Sequence, residues 1–257
     1  EDVQESLRWT KLAAEAGHPR AQYNMACLYK EGEVVARNIT ESLRWLRLAA
    51  QNGLAQAMDA IGYMYDLGKD VEEDDLEAVK WYQAAAQLGL AEGQGHLADM
   101  YFFGEGVEED LETAFLLNQL AAKQGLARAQ FHLGLMYDNG SGVEEDNISA
   151  VRWYLAAAEQ GHARAQRTLG FMYRYGEGVA KEDEEAIKWF RKAAEQGDAE
   201  AQYRLSLMII ERADTNVMNK LGIFWMEQAA EHGNAEARKF IEDSRSPSTE
   251  PGLLKDT

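Results

Sequence analysis

The stretch LARAQFHLGLMYDNGSGVEEDNISAVRWYLAAAEQG, residues 126–161, carries the pattern that decides the fold. The following 36 residues, 162–197, read HARAQRTLGFMYRYGEGVAKEDEEAIKWFRKAAEQG and repeat that pattern without an insertion or deletion. A fixed period of this length is the sequence signature of a repeat architecture. One glycine keeps the period along the chain, at Gly17, Gly53, Gly89, Gly125, Gly161, Gly197 and Gly233.

Further residue types keep the same 36-residue spacing. An alanine pair precedes each glycine, from Ala13–Ala14 at the start to Ala229–Ala230 at the end. All six tryptophans share one phase, with Leu117 in the remaining slot: Trp9, Trp45, Trp81, Trp153, Trp189 and Trp225. Because chance does not produce such a register, the chain is a tandem array of one repeat.

Each repeat splits into two short helices, as residues 54–89 illustrate. Apolar residues at spacings of three and four predict an amphipathic first helix over Ala55–Leu67. A turn follows, which in later repeats reads Gly-x-Gly-Val, and Asp74 is then a predicted N-cap with Glu77 three residues on. Asn38 and Glu41 repeat this arrangement in the preceding repeat. The second helix runs from about Asp75 to Leu88.

The two helices of a repeat are expected to pack closely. A small residue of the first helix allows the approach, at Ala26, Gly62, Ala98, Gly134 and Gly170. The second helix of residues 54–89 supplies a buried stripe made of Ala78, Trp81, Tyr82, Ala85 and Ala86. Because one helix pair cannot bury both of its faces, the pairs must stack into an all-α solenoid with a continuous core.

The predicted solenoid covers residues 1–243, and residues 244–257 are predicted to form a flexible polar tail. It consists of a half repeat, six full repeats and a closing half repeat: 1–17, 18–53, 54–89, 90–125, 126–161, 162–197, 198–233 and 234–243. In the sixth full repeat Arg212–Thr215 replaces the glycine turn, which predicts a boundary repeat. The start within a repeat and without Met predicts a fragment or a processed chain, which would hide any targeting sequence.

Charge and composition exclude several classes of function. The chain has 26 basic and 44 acidic residues, a net charge of −18, so binding to nucleic acid or to an anionic membrane is not expected. Apolar residues make up 46% of the chain, too many for disorder, yet no run approaches the roughly 20 residues of a membrane helix. Cys27 is the single cysteine, so no intrachain disulfide can form.

No cofactor, no metal and no catalytic residue is predicted. His96 and His132 share a phase in adjacent repeats, but equivalent positions on packed helices lie about 8–10 Å apart, too far for one ion without more ligands. Residues 93–98 fit a loose dinucleotide fingerprint, but they lie inside a first helix rather than between a strand and a helix. Cys27 has no activating histidine in any signature and is expected to be a partly buried small residue.

Acidic residues recur at one phase of the repeat and form a negative ridge, at Glu72–Asp75, Glu108–Asp110, Glu144–Asp146 and Glu182–Glu185. N-capping and the dipole of the following helix are one explanation. Steering of a basic partner is a second explanation. Calcium binding at Asp138–Gly142 is a third, although the alternating ligand spacing is incomplete there.

The repeated residues closely resemble the Sel-1-like repeat family, a relative of the tetratricopeptide repeats with a slightly longer period. The family pattern is present at Ala129, Leu133–Tyr137, Gly140–Val143, Trp153, Tyr154 and Ala157–Gly161. The likeness covers roughly residues 1–243. It implies a right-handed superhelix of antiparallel helix pairs that binds proteins or peptides, often as an adaptor of bacterial, exported or envelope-associated location.

By analogy with the tetratricopeptide repeats, the first helices should line a concave groove in which the partner binds. The expected groove residues are Tyr63, Phe102, Phe131, Arg167, Phe171, Arg174 and Tyr203. Aromatic and arginine side chains are enriched in binding hot spots. The alternative is that some of these side chains pack against the neighbouring repeat and complete the core.

The sequence therefore predicts a non-enzymatic adaptor that binds a peptide or partner protein, with no small-molecule substrate. A structural role through homo-oligomerisation is an alternative, and the oligomeric state stays open. A β-lactam hydrolase is the least supported alternative, because the chain lacks the cysteines of the family members that bind β-lactams. Family habit slightly favours the periplasm, the envelope or secretion, and a single cysteine is compatible with either side of a membrane.

Overall fold

The computed structural model describes residues 3–212 and 215–245, and all the regular structure within them is α-helical. This confirms the predicted all-α fold class. The helices in chain order are α1 (Val3–Glu15), α2 (Pro19–Glu31), α3 (Ile39–Gln51), α4 (Ala55–Asp66), α5 (Asp75–Gln87), α6 (Ala91–Phe103), α7 (Leu111–Lys123), α8 (Ala127–Asn139), α9 (Asn147–Glu159), α10 (Ala163–Tyr175), α11 (Asp183–Glu195), α12 (Ala199–Glu211), α13 (Asn216–Glu231) and α14 (Ala235–Arg245).

The helices follow the period of the sequence. Even-numbered helices are the first helices of the repeats and odd-numbered helices are the second helices. Helices α4 and α5 each end one residue before the predicted limits of Leu67 and Leu88. Helix α14 continues to Arg245, two residues beyond the predicted end of the closing half repeat, and residues 246–257 of the predicted tail lie outside the described residues.

The turns supply side-chain caps for the second helices α3, α5, α7 and α9, whereas Glu182 before α11 makes no side-chain cap hydrogen bond. The side chains of Asn38 and Asp74 accept hydrogen bonds from the backbone N–H three residues on, at 3.1 and 3.0 Å, as predicted. Asp110 and Asp146 do the same for α7 and α9. One residue of each of these turns is therefore required by the helix that follows it.

The second glycine of the Gly-x-Gly-Val turn is needed for two reasons, which Gly106 illustrates. Its φ is +66°, a left-handed conformation that residues with a Cβ rarely adopt. A Cβ at this position would lie 2.5 Å from the carbonyl oxygen of Asp75 at the start of α5. The turn thus brings consecutive second helices together through backbone contact.

Buried glutamines connect one repeat to the next. The Gln22 Nε2 donates to the carbonyl oxygen of Ala14 at 3.1 Å, and Gln202 donates in the same way to Ala194 at 2.9 Å. The acceptors lie in the last turn of a second helix, where each also accepts a hydrogen bond from the backbone N–H of the following glycine. The link gives the buried glutamine amide a partner in the preceding helix, so it favours one register of stacking.

The helices cluster into two compact units, residues 1–145 (unit 1) and 146–257 (unit 2). In unit 1 each helix from α1 to α8 packs against the next, and α4 also contacts α6. In unit 2 each helix from α9 to α14 packs against the next, and α10 also contacts α12. Stacking of consecutive helices within each unit buries the faces that a single pair leaves open.

The core of each unit contains an aromatic side chain against a glycine. Tyr82 is fully buried in unit 1, and a Cβ added to Gly62 would lie 2.7 Å from its ring. Phe190 is buried in the same way against Gly170 in unit 2. The predicted close approach at these small residues is therefore observed, and it makes room for a ring.

Candidate functional site

The predicted groove residues all lie on first helices, and they divide between the units. Tyr63, Phe102 and Phe131 belong to α4, α6 and α8 of unit 1. Arg167, Phe171, Arg174 and Tyr203 belong to α10 and α12 of unit 2.

In unit 1 the three aromatic residues differ in exposure. The Tyr63 side chain is 44% exposed, and its ring centroid lies 5.9 Å from that of His96. Phe102 is half-buried and packs edge-on against Phe103 with the ring centroids 5.0 Å apart. Phe131 is only 6% exposed. It therefore fits the alternative prediction, in which some of these side chains complete the core instead of lining a groove.

Two histidines of unit 1, His96 and His132, pair with aspartates of the preceding first helix. His96 Nδ1 lies 2.7 Å from Asp59 Oδ1, and His132 Nδ1 lies 3.1 Å from Asp99 Oδ1. Arg128 occupies the other oxygen of Asp99, with Nη1 at 3.3 Å. Over residues 3–212 and 215–245, no group of three His, Cys, Asp or Glu side chains is placed to hold a metal ion.

In unit 2 the predicted arginines are paired within the unit. Arg167 Nη1 lies 3.0 Å from a carboxylate oxygen of Asp198. Arg174 contacts Asp183 at 2.9 Å and Glu211 at 3.0 Å. The hydrogen bond to Asp183 raises the pKa of Arg174 above its ordinary value. A partner that used these guanidinium groups would have to compete with carboxylates that already hold them.

The aromatic residues of unit 2 are also engaged within the unit. The Phe171 ring packs edge-on against the buried Phe190 ring with the centroids 5.1 Å apart. The Arg204 guanidinium lies 5.3 Å from the Phe171 centroid and 5.4 Å from the Tyr203 centroid, within cation–π range. Phe171 and Tyr203 are both half-buried.

One series of exposed apolar side chains was not predicted from the sequence. It lies at the last position of the first helices or directly after it. Phe103 and Tyr175 are 63% and 60% exposed, and Leu67 occupies the same phase. The signal was present in the sequence, because these residues follow the 36-residue period one position after Phe102 and Arg174. We call Tyr63, Phe102 and Phe103 the unit 1 patch.

Cys27, the candidate nucleophile considered in the sequence analysis, lacks the features of an activated thiol. Cys27 is half-buried, and burial raises the pKa of its thiol above the ordinary value. A raised pKa lowers the thiolate fraction at neutral pH and hence the reactivity. Within the described residues, no helix is long and apolar enough to cross a membrane.

A family model described as Sel1 repeat matches seven times, at residues 1–18, 19–54, 55–90, 91–126, 127–162, 163–198 and 199–234. Its boundaries lie one residue after those predicted from the glycine series. No curated protein matches the chain.

Two solved structures are similar over nearly the whole chain. The first is c5321, a protective antigen present in uropathogenic Escherichia coli strains displaying an SLR fold, with 33% identity and a TM-score of 0.87 over 94% of this chain. The chain covers 52% of c5321, so it spans about half the length of that relative. The second is a Sel1 repeat protein from Oxalobacter formigenes, with 34% identity and a TM-score of 0.84, matching 95% of this chain and 70% of its own.

Proposed function

We propose, because the chain belongs to the Sel1-repeat family, that it is a non-enzymatic scaffold that binds a peptide segment of a partner protein on the exposed face of its first helices. Proteins built from Sel1 repeats generally act as protein-interaction scaffolds. The binding of a peptide and the face that binds it are what we propose specifically for this chain.

The observation that carries the proposal is the exposure of aromatic side chains on the first helices of unit 1. Tyr63 and Phe103 leave large apolar surfaces open to solvent, and half-buried Phe102 lies beside Phe103. Aromatic residues dominate binding hot spots because they bury much area at little conformational cost. The unit 1 patch is therefore our choice for the anchor of the peptide.

Charge supports a basic partner segment. The net charge of −18 produces a negative field that accelerates association with positively charged partners. Asp110 and Asp146 cap the helices that follow them and remain exposed to solvent. They therefore stabilise the fold and also contribute to the negative field. We expect Lys and Arg on the peptide to flank an apolar anchor and to make binding weaken as salt rises.

We expect the predicted groove residues of unit 2 to contribute less to the affinity for the peptide than the unit 1 patch. Arg167, Phe171, Arg174 and Tyr203 are half-buried, and each has an ionic or aromatic neighbour in unit 2. Contacts that only replace existing ones add little affinity.

Selection of random peptides tests the proposal. A displayed peptide library is selected on the full chain, and the dissociation constants of enriched peptides are measured by calorimetry. Replacing Tyr63, Phe102 and Phe103 by Ala should weaken binding at least about tenfold, as expected for hot-spot residues.

The matched control removes similar exposed apolar area from second helices. Leu76→Ala, Leu88→Ala and Leu116→Ala shorten side chains that are all more than half exposed. This variant should bind within about threefold of the parent, since singly exposed apolar residues are common on surfaces and need not bind anything. Equal losses in both variants, or in neither, would contradict the proposal.

A second candidate is a structural role through homo-oligomerisation. Helix α13 exposes Leu221, Ile223 and Phe224, and α14 exposes Phe240. Exposed apolar side chains close together can mark an interface between copies. Light scattering from micromolar to near-millimolar concentration distinguishes the candidates: a constant monomer mass argues against oligomerisation and leaves the scaffold proposal standing.

The non-enzymatic part of the proposal has its own inexpensive assay. A chromogenic β-lactam incubated with the chain should be hydrolysed no faster than with buffer alone. Turnover that co-purifies with the protein and follows its concentration would overturn this part.

A further inference from the structure

Among the second helices from α3 to α13, one lacks the large apolar side chain that the others place inside the repeat. This position is 36 residues apart in successive repeats and is buried in each helix from α3 to α13. It holds Leu46, Tyr82 and Asn118 in unit 1, and Tyr154, Phe190 and Met226 in unit 2. Asn118 is the one polar amide in the series, and it is much smaller than a tyrosine ring with its hydroxyl.

The contacts of Tyr82 show what the ring does in the preceding repeat. Its hydroxyl donates to Asp66 Oδ2 at 2.8 Å, and burial together with this bond raises the pKa of Tyr82. Its ring centroid lies 4.8 Å from that of His96. The ring therefore fills the space between its own first helix and the first helix that follows.

One repeat further on, the equivalents of those neighbours border a pocket. Phe102 occupies the phase of Asp66, and His132 occupies the phase of His96. Both line a pocket of about 140 Å³ together with Asn118, Leu135 and Met136. The pocket thus lies at the position that corresponds to the Tyr82 ring of the preceding repeat.

Size and lining indicate what the pocket accepts. An apolar cavity of about 150 Å³ holds one benzene ring. The wall is mainly apolar, with Phe102, Leu135 and Met136 among its residues. Asp99 also borders it, but its two oxygens are taken by His132 and Arg128, so it offers little uncompensated charge to a cation. A single neutral ring fits these conditions.

Asn118, which lines the pocket together with the polar residues Asn139 and Ser141, selects among rings. Asn118 is 2% exposed, and its Nδ2 lies 3.7 Å from the Met136 sulfur, within hydrogen-bond distance. Its Oδ1 has no hydrogen-bond partner. A buried acceptor without a donor is costly, so a ligand that brings a hydroxyl is preferred over one that does not.

We propose that this pocket receives a tyrosine side chain of the partner, with the ring between Phe102 and Met136 and the hydroxyl donating to Asn118 Oδ1. The inference rests on the proposed function, because Phe102 and Phe103 belong both to the unit 1 patch and to the pocket wall. A peptide on the patch would thereby restore in trans the ring that Tyr82 supplies to the neighbouring repeat.

The first test uses analogues of the side chain on the full chain. Binding of 4-methylphenol and of toluene is measured by protein NMR titration, with aromatic ring and methyl signals of unit 1 as the readout. The phenol should saturate, and toluene should bind at least about tenfold more weakly because it leaves Asn118 Oδ1 unpaired. Equal affinities, or no binding of the phenol up to its solubility, would overturn the proposal.

Two variants locate the binding. Ala98→Gly with Asn118→Tyr recreates the Gly62 and Tyr82 pair and should abolish binding of the phenol. Asn118→Leu recreates the Ala26 and Leu46 pair, needs no second change, and should remove the preference for phenol over toluene. A phenol that binds both variants as well as the parent occupies another place, which would contradict the assignment.

The selected peptides separate failure of this inference from failure of the proposed function. Enriched peptides should contain a tyrosine whose replacement by phenylalanine weakens binding about tenfold, because one hydroxyl is lost. Peptides that depend on the unit 1 patch but tolerate this replacement would refute only the pocket. Peptides that ignore the patch would refute the proposed function, even if 4-methylphenol binds at Asn118.

Discussion

The first helices of the two units carry similar residue types but leave them in different states. In unit 1, Tyr63 and Phe103 face solvent, and a pocket opens beside Phe102. In unit 2, Phe171 packs on Phe190 and lies beneath Arg204, and Arg174 joins two carboxylates. An exposed ring of unit 2, Tyr175, stacks on Phe171 with the ring centroids 6.3 Å apart. The repeat is the same, so the difference arises from the individual residues placed on it.

This comparison shows that residue type alone does not identify a binding anchor. An arginine that is already paired must give up that pair before it binds a partner, and the exchange yields little net free energy. An exposed ring has no such competitor. The buried core position also differs between the units. Phe190 fills this position in unit 2, whereas Asn118 borders a pocket at the same position in unit 1.

The largest effect is expected at the core position that holds Asn118 in unit 1 and Phe190 in unit 2. Phe190→Ala should lower the free energy of unfolding by about 3–5 kcal/mol, because it removes a fully buried ring. Asn118→Leu should instead raise it by about 1 kcal/mol, because a buried amide whose Oδ1 is unpaired is replaced by an apolar group. Urea denaturation followed by circular dichroism measures both. Changes of the same sign would break the comparison.

The next effect concerns the small residue opposite the ring. A Cβ at Gly170 would lie 2.5 Å from the Phe190 ring, so Gly170→Ala should cost about 1–3 kcal/mol by overpacking. Adding Phe190→Leu recreates the Ala26 and Leu46 pair of unit 1 and should relieve that clash. A double-mutant cycle should therefore give a coupling of at least about 1 kcal/mol, and strict additivity would show that the two positions are independent.

A smaller effect is expected from the ion pairs of unit 2. Arg174→Ala should lower the free energy of unfolding by about 0.5–1 kcal/mol, because the Arg174 side chain is 28% exposed and that of Asp183 is 36% exposed. The loss should shrink in 1 M salt, which screens partly exposed charges. Lys188→Ala, which breaks a more exposed pair with Glu185, is the control and should change stability less.

The smallest effect depends on pH and should be the same in both units. Hydrogen bonds from Thr113 and Ser149 lower the pKa of Asp110 and Asp146 below the ordinary value. A carboxyl whose folded-state pKa is lowered contributes stability above its unfolded pKa, about 3.9, and loses it as pH falls through the folded pKa.

Asn at these two caps keeps the hydrogen bond but does not titrate in this range. Asp110→Asn and Asp146→Asn should each flatten the loss of stability below about pH 4, as measured by urea midpoints from pH 7 to pH 2.5. A parent and a variant that fall in parallel over this range would contradict the role of the charge.

Most of the fold could be predicted from sequence because one repeat specifies it many times. The glycine series, the alanine pairs and the caps at Asn38 and Asp74 placed the helices to within one or two residues. The buried glutamines such as Gln22 were not predicted, although they follow the same period, because a polar residue in a core is recognised only with its acceptor.

The candidate site could be predicted only in part. The first helices and Tyr63 followed from the period, but the burial of Phe131 and the pairing of Arg167 depend on side chains far away in sequence. The pocket at Asn118 had a signal, since one amide interrupts the series of large side chains that runs from Leu46 to Met226. Its volume and its unpaired oxygen are properties of packing, which the order of residues does not express.

The central claim is that the partner is anchored on unit 1 rather than on unit 2. One selected peptide titrated calorimetrically into two alanine variants tests it: one lacks Tyr63, Phe102 and Phe103, and the other lacks Arg167, Phe171 and Arg174. We expect a loss of at least about tenfold for the first variant and of less than about threefold for the second, at equal helix content. The reverse order would contradict it and would assign the anchor to unit 2.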